Sequence, residues 1–308
     1  MDNRVIINEV GLRDGLQNHP THLPVAGKVK LFTALRAAGV SNFELTSFVS
    51  PRAVPAMADA AELVLAVPRE PGVTITALVP NRRGYARARE VGVGGIAVVL
   101  SATETLNQKN IGMSLETATA ECVAVIEEAK RDGVFTRAYI AAACACPYEG
   151  RTDRNVVLDL AHRMLLAGAD EIALADTIGA GNPAQVEALF GAAAERFGAE
   201  RIAAHFHDTR AMGLTLSWVA LKAGIRKFDA SIGGLGGCPF APGASGNLAT
   251  EDLTLMLEQS GYETGLSVEG LIKAAELAGE LLGSAVGGRI TPWFTSDRAR
   301  REAKLGAA

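Results

Sequence analysis

The chain is poor in the features that mark several large classes of protein. Its 308 residues contain only four cysteines, too few for a disulfide framework and in keeping with a reducing compartment. Aromatic residues make up 5%, which leaves no stock of rings for stacking against bases. Basic side chains (30) are outnumbered by acidic ones (34), for a formal charge of -4, so neither nucleic acid nor an anionic membrane surface is expected as a partner. No apolar run is long enough to cross a bilayer. Too few residues precede Val5-Ile6-Ile7 for a targeting peptide, so a cytoplasmic location is expected. What is plentiful is glycine (33) and hydrophobic side chains (48%), with 21% charged, the composition of a globular enzyme.

Short β-branched runs alternate with longer amphipathic stretches. Strands are predicted at Arg4–Glu9, Asn42–Thr46, Val73–Val79, Ile96–Leu100, Thr136–Ala142, Glu171–Ala175, Arg201–His207 and Lys227–Ile232. Helices are predicted at Val25–Ala38, Ala53–Val67, Arg82–Val91, Leu115–Arg131, Arg154–Ala167, Ala184–Phe197, Ala211–Ala223 and Leu248–Gln259. Eight strand-then-helix units predict an α/β protein with a parallel sheet, and eight is the number that closes a TIM (β/α)8 barrel. An open doubly wound sheet is less well matched, because Gly11-Leu12-Arg13-Asp14-Gly15 does not fit the glycine fingerprint of that fold. One catalytic barrel is expected over residues 1–308, with about 262–308 as a helical C-terminal extension. Leu266–Leu282 reads as one or two capping helices and Arg298–Ala308 as a mobile tail.

The barrel makes a demand on the polar residues, since active sites of this fold lie where strands end. Arg13-Asp14 follows strand 1, Glu44 lies on strand 2, Asp176-Thr177 ends strand 6, and His205-x-His207-Asp208-Thr209 ends strand 7. Residues two apart on a strand share a side, so His205 and His207 can both ligate one ion. The alternative is one buried structural histidine and one surface histidine. Asp14, near strands 7 and 8 in a closed barrel, could complete such a site, and Asn247 could add a carbonyl oxygen. Two nitrogens with two or more oxygens suit Mg²⁺ or Mn²⁺. Arg13 beside Asp14 is either a salt-bridged turn or an oxyanion stabiliser. Glu44 and Asp176 are candidate catalytic carboxylates or hydrogen-bonding partners of neighbouring loops. The glycines of Gly233–Cys238 either turn the chain or form a lid presenting the Cys238 thiol. Cys122, Cys144 and Cys146 read as core.

These segments resemble the 3-hydroxy-3-methylglutaryl-CoA lyase family of metal-dependent lyase and condensing-enzyme barrels. The resemblance runs from Val5 to Gly265 and rests on Glu9–Asn18 (EVGLRDGLQN), Thr46–Pro51, Cys146–Gly150, Asp176–Gly179 and His205–Thr209, and most specifically on Gly234–Pro239 and Gly243–Asp252. It implies Asp14, His205, His207 and Asn247 as metal ligands, Arg13 at the thioester oxygen, Cys238 as lid thiol and general acid, and Glu251 as a supporting carboxylate. The implied reaction is retro-Claisen cleavage of a 3-hydroxy-3-methylglutaryl-CoA-type thioester to acetyl-CoA and acetoacetate, with Asp14, Asp176 or a histidine as general base. A homo-oligomer, dimer or tetramer, is implied as well. A synthase of the same superfamily and a catalytically silent metal-binding protein are the other readings. Leu12 replaces the usual proline, and Arg210-Ala211 the usual Tyr-Gly, which bears on the acyl portion of the substrate.

Overall fold

The computed structural model describes residues 3–237 and 246–305. Eight parallel strands close into a barrel: β1 (Ile6–Glu9), β2 (Asn42–Ser47), β3 (Thr74–Leu78), β4 (Gly95–Ser101), β5 (Phe135–Ala141), β6 (Glu171–Asp176), β7 (Ile202–Phe206) and β8 (Lys227–Ala230). Each strand pairs with its sequence neighbour, and β1 closes the ring against β8 in the register Ile6↔Lys227 to Glu9↔Ala230. Eight helices lie between the strands and after the last: α1 (Val25–Ala37), α2 (Ala60–Ala66), α3 (Arg82–Glu90), α5 (Leu115–Arg131), α6 (Arg154–Ala167), α7 (Pro183–Phe197), α8 (Gly213–Lys222) and α9 (Thr250–Gln259). To these are added α4 (Glu104–Ile111), α10 (Val268–Leu282) and α11 (Thr291–Leu305).

Strand alternation sorts the side chains. On β5, Ala138 and Ile140 join the core shared with the helices, whereas Arg137 and Tyr139 point to the barrel axis. On β7, Ile202, Ala204 and Phe206 pack outward and Ala203 and His205 inward, with His207 continuing that parity. The axial layer of Leu78, Ala97, Tyr139, Ala173 and Ala203 is small-residue rich, and this leaves room for polar groups above and below it.

Four features differ from the sequence expectation. The helix predicted over Ala53–Val67 is broken, because Pro55 starts a separate short turn (Pro55–Met57) before α2. Helix α4 was not expected, since its segment ETLNQKNI has almost no apolar stripe. A two-residue ribbon, Ala145–Cys146 against Gly150–Arg151, follows β5. The tail expected to be mobile from Arg298 is helical through Leu305.

Glu9, at the end of β1, ties three elements together. Its carboxylate accepts the Gly11 N–H (2.8 Å), the Ile232 N–H (2.9 Å) and the Thr250 hydroxyl (2.6 Å), so it links the exits of β1 and β8 to the start of α9. A side chain on Gly11 would run into the Glu9 carboxylate, which requires glycine there. Burial pushes the Glu9 carboxyl up to about 7, with its three hydrogen-bond donors working against the rise. A folded-state value above the unfolded one means that its contribution is full below about pH 4.5 and is lost as the pH rises through about 7. Glu9→Gln is therefore expected to gain on wild type between pH 5 and 8, by up to roughly 3 kcal/mol, in paired urea-denaturation curves. A difference that does not change with pH would contradict this.

Candidate active site

The segment after β1 does not turn as an ordinary helix. Gly11–Gly15 forms one wide π-type turn in which the Val10 carbonyl accepts N–H bonds from Arg13 (3.1 Å), Asp14 (2.7 Å) and Gly15 (3.2 Å). That turn sets Arg13 and Asp14 side by side at the barrel mouth. Arg13 bonds to the Asp14 carboxylate and donates from Nε to Glu44 Oε2 at 2.7 Å. Glu44, buried on β2, thus braces the guanidinium from behind. The mouth opens into a cavity of about 580 Å³ lined by Arg13, Asp14, His205, His207, Tyr139 and Gln17, with an apolar wall that includes Leu106, Ile111 and Met113.

Asp14, His205 and His207 present ligand atoms that all lie within 4.8 Å of one another. His205 Nε2 stands 4.0 Å from Asp14 Oδ2. Asn247 donates from Nδ2 to Asp14 (2.8 Å) and to the Leu235 carbonyl (3.1 Å), which leaves its Oδ1 buried and without a hydrogen-bond partner. The buried Nδ1 of His207 is likewise unpartnered. Orphaned lone pairs beside a carboxylate are an expensive arrangement in a protein interior unless something accepts them. Oxygen and imidazole donors of this kind fit a metal ion.

Burial works to raise the Asp14 carboxyl, but Arg13, the two imidazoles and the Asn247 amide together hold it down to about 2. The two histidines are driven apart. Burial, reinforced by His205, lowers His207 to about 4. Burial acts in the same sense on His205, yet its hydrogen bond to Asp229 (3.0 Å) outweighs it and raises the group.

The other residues singled out from the sequence are distributed as follows. Asp176 ends β6 with both oxygens taken by the N–H groups of Ala180 (3.0 Å) and Gly181 (2.8 Å), and neither it nor Glu44 lines the cavity. Glu251 accepts from Gly233 (3.0 Å) and Gly288 (2.6 Å), which fastens the β8 exit to the segment before α11. Arg210 donates from Nε to the Gly179 carbonyl (2.9 Å) and stays outside the cavity lining. Cys122, Cys144 and Cys146 are buried. Cys238 lies outside the described residues. The glycines before it are closely packed: a side chain on Gly246 would overlap the carbonyl oxygens of Gly234 and Gly236. Asp229, Tyr139 and Arg137, the polar groups beneath His205, were not singled out from the sequence. The one available signal was a carboxylate at an inward-facing position of a strand otherwise read as core.

In the metal-free protein, His207 is expected to remain neutral until about pH 4 while His205 keeps its proton above the ordinary 6.5. Stability from neutral His207 is present above 6.5 and lost as pH falls toward 4; that from protonated His205 is present below 6.5 and lost as pH rises through its raised value. An NMR titration of the imidazole carbons tests the order, and His207 titrating above His205 would contradict it.

Residues 4–278 match the HMGL-like family model. The chain is 44% identical over 293 residues to a hydroxymethylglutaryl-CoA lyase of Bacillus subtilis, covering 95% of this chain and 98% of that one. It is 40% identical over 286 residues to a 3-hydroxy-3-isohexenylglutaryl-CoA/hydroxymethylglutaryl-CoA lyase of Pseudomonas aeruginosa, with 93% and 95% covered. The solved HMG-CoA lyase of Acinetobacter baumannii in complex with coenzyme A and 3-methylmalate superposes with a TM-score of 0.90 at 36% identity, over 94% of this chain and 95% of that one. With a family model matching residues 4–278 and relatives this similar over nearly their whole length, the chain belongs to the HMGL-like family.

Proposed function

We propose that this protein is a divalent-metal-dependent carbon–carbon lyase that cleaves 3-hydroxy-3-methylglutaryl-CoA to acetyl-CoA and acetoacetate. The observation that carries the reading is the meeting of Asp14, His205 and His207 beside Arg13 on one cavity, in a chain 44% identical to a lyase of that name. Asp14, His205, His207 and the Oδ1 of Asn247 would hold the cation. When bound, Mg²⁺ or Mn²⁺ there supplies Lewis-acid polarisation of substrate oxygens, which makes the C3 hydroxyl more acidic.

The protein groups divide the remaining work. A base takes the C3 hydroxyl proton; the C2–C3 bond then breaks, its electrons pass into the thioester as an enolate, and C3 becomes the ketone of acetoacetate. Imidazoles that ligate a cation have no lone pair left for a proton, so the carboxylates Asp14, on the cavity, and Asp176, at the end of β6, are the candidates for that base. Arg13, held from two sides by Asp14 and Glu44, carries a fixed positive charge to the position of the enolate oxygen. Glu44 acts by positioning Arg13. Cys238 is the group assigned to protonate C2 and release acetyl-CoA.

A second acyl group has specific support. One relative is named for an isohexenyl substrate, and the apolar stretch Leu106, Ile111 and Met113 gives the cavity a wall suited to a longer C3 alkyl chain. The proposal also includes a cytoplasmic homo-oligomer of two or four copies. Among the described residues no helix is long and apolar enough to cross a membrane.

Purified protein with Mg²⁺ or Mn²⁺ is expected to release acetyl-CoA from 3-hydroxy-3-methylglutaryl-CoA, to lose activity on chelation and to regain it when the ion is returned. Turnover that survives exhaustive chelation would overturn the cation assignment. Arg13→Met is expected to lower kcat by about 10² to 10³-fold, the usual cost of removing an oxyanion donor. Full turnover by Cys238→Ala would remove the thiol from its role, and a product formed from acetyl-CoA and a 2-oxoacid would favour a synthase.

A further inference from the structure

Beneath the barrel mouth lies a chain of charged groups that the reaction itself does not use. It begins at Lys227, which bonds to Glu171 Oε2 (2.5 Å), passes to Arg137, whose Nε lies 3.1 Å from Glu171 Oε1, and continues to Asp229, 2.7 Å from the Arg137 Nη2. Asp229 is buried, and four groups converge on its two oxygens. Oδ1 is ion-paired with Arg137 and accepts from the Asn8 amide (3.1 Å); Oδ2 accepts from the Tyr139 hydroxyl (2.8 Å) and faces His205 Nδ1 at 3.0 Å.

A carboxylate in contact with a buried guanidinium is ionised and can only accept hydrogen bonds, so the proton of that last bond sits on His205 Nδ1. In the neutral ring, the form that can bind a cation, the lone pair of His205 is thereby assigned to Nε2. That atom points toward Asp14 Oδ2 at 4.0 Å, beyond hydrogen-bond reach, and no direct bond competes for its lone pair. Tyr139, edge-on to the His205 ring at 5.8 Å, limits the other orientation of the imidazole.

We infer that Asp229 is a positioning residue for the cation site, fixing His205 as the Nδ1–H tautomer and aiming its Nε2 at the point shared with Asp14 and His207. The inference rests on the cation-site reading above. Carboxylates that hold a ligating histidine in this way commonly change metal affinity by about 10 to 100-fold when removed.

The test uses the full-length protein and Mn²⁺ alone. Free Mn²⁺ is measured by electron paramagnetic resonance for wild type and Asp229→Asn, with thermal melts to establish folding. A Kd for Mn²⁺ weakened by about 10 to 100-fold in the folded variant is expected. Should Asp229→Asn fail to fold for want of a partner for Arg137, the double variant Asp229→Asn/Arg137→Met removes both charges and is expected to show the same loss. Independently, the ¹⁵N spectrum of wild-type metal-free protein, taken at a pH where the His205 ring is neutral, should show a protonated Nδ1 and an unprotonated Nε2 on His205. Equal Mn²⁺ affinity in wild type and folded variant, or an Nε2–H tautomer in wild type, would overturn the inference while leaving the cation site standing. Wild type that binds no Mn²⁺ would overturn both.

Discussion

The parallel pairing of β1 with β8 is the constraint on which the rest of the molecule depends. Without it, Asp14 and Asn247 are 233 residues apart in the chain; with it, they share a hydrogen bond of 2.8 Å. Ring closure puts the π-type turn after β1 next to the ends of β7 and β8, and so brings a carboxylate, an amide and two imidazoles to one point. Glu9 fastens the same seam from below by binding the Ile232 N–H and the Thr250 hydroxyl. The site is therefore a property of the closed ring, and no single βα unit contains it.

Closure also lets the interior keep its charges. Burying an ion pair costs more than its attraction returns unless further hydrogen bonds satisfy both partners. Two buried guanidiniums are each shared between two carboxylates: Arg13 between Asp14 and Glu44, Arg137 between Glu171 and Asp229. Asp229 in turn receives Tyr139, Asn8 and His205. Such a network of shared partners has few alternative arrangements, which favours one rigid geometry at the mouth over maximal stability. The small side chains of the axial layer, Ala97, Ala173 and Ala203, provide the space in which it fits.

Much of this was legible in the sequence because it depends on periodicity. Strand alternation alone places His205 and His207 on one face, and the count of eight βα units alone places the two ends of the barrel side by side. The residues that escaped depend on register and on local strain. Asp229 has partners on β1, β5 and β7, and nothing in the pattern of β8 by itself states which residues of those strands lie at its level. The turn at Gly11–Gly15 is held by one carbonyl accepting three N–H groups, a geometry that the run GLRDG does not announce. Pro55 falls inside the predicted helix Ala53–Val67, where it opens a separate short turn before α2. Asp176, conspicuous as an acidic residue at a strand end, also accepts the N–H groups of the turn that follows it, which its position alone does not state.

The proposed function turns on one cation position defined jointly by Asp14, His205, His207 and Asn247. The most direct measurement is a crystal structure of the protein grown with Mn²⁺, located by its anomalous scattering. A single strong peak is expected at the barrel mouth, within about 2.3 Å of the Asp14 carboxylate, both imidazoles and the Asn247 carbonyl oxygen. A peak elsewhere on the molecule with this position empty, or one that leaves either imidazole out of reach, would contradict it.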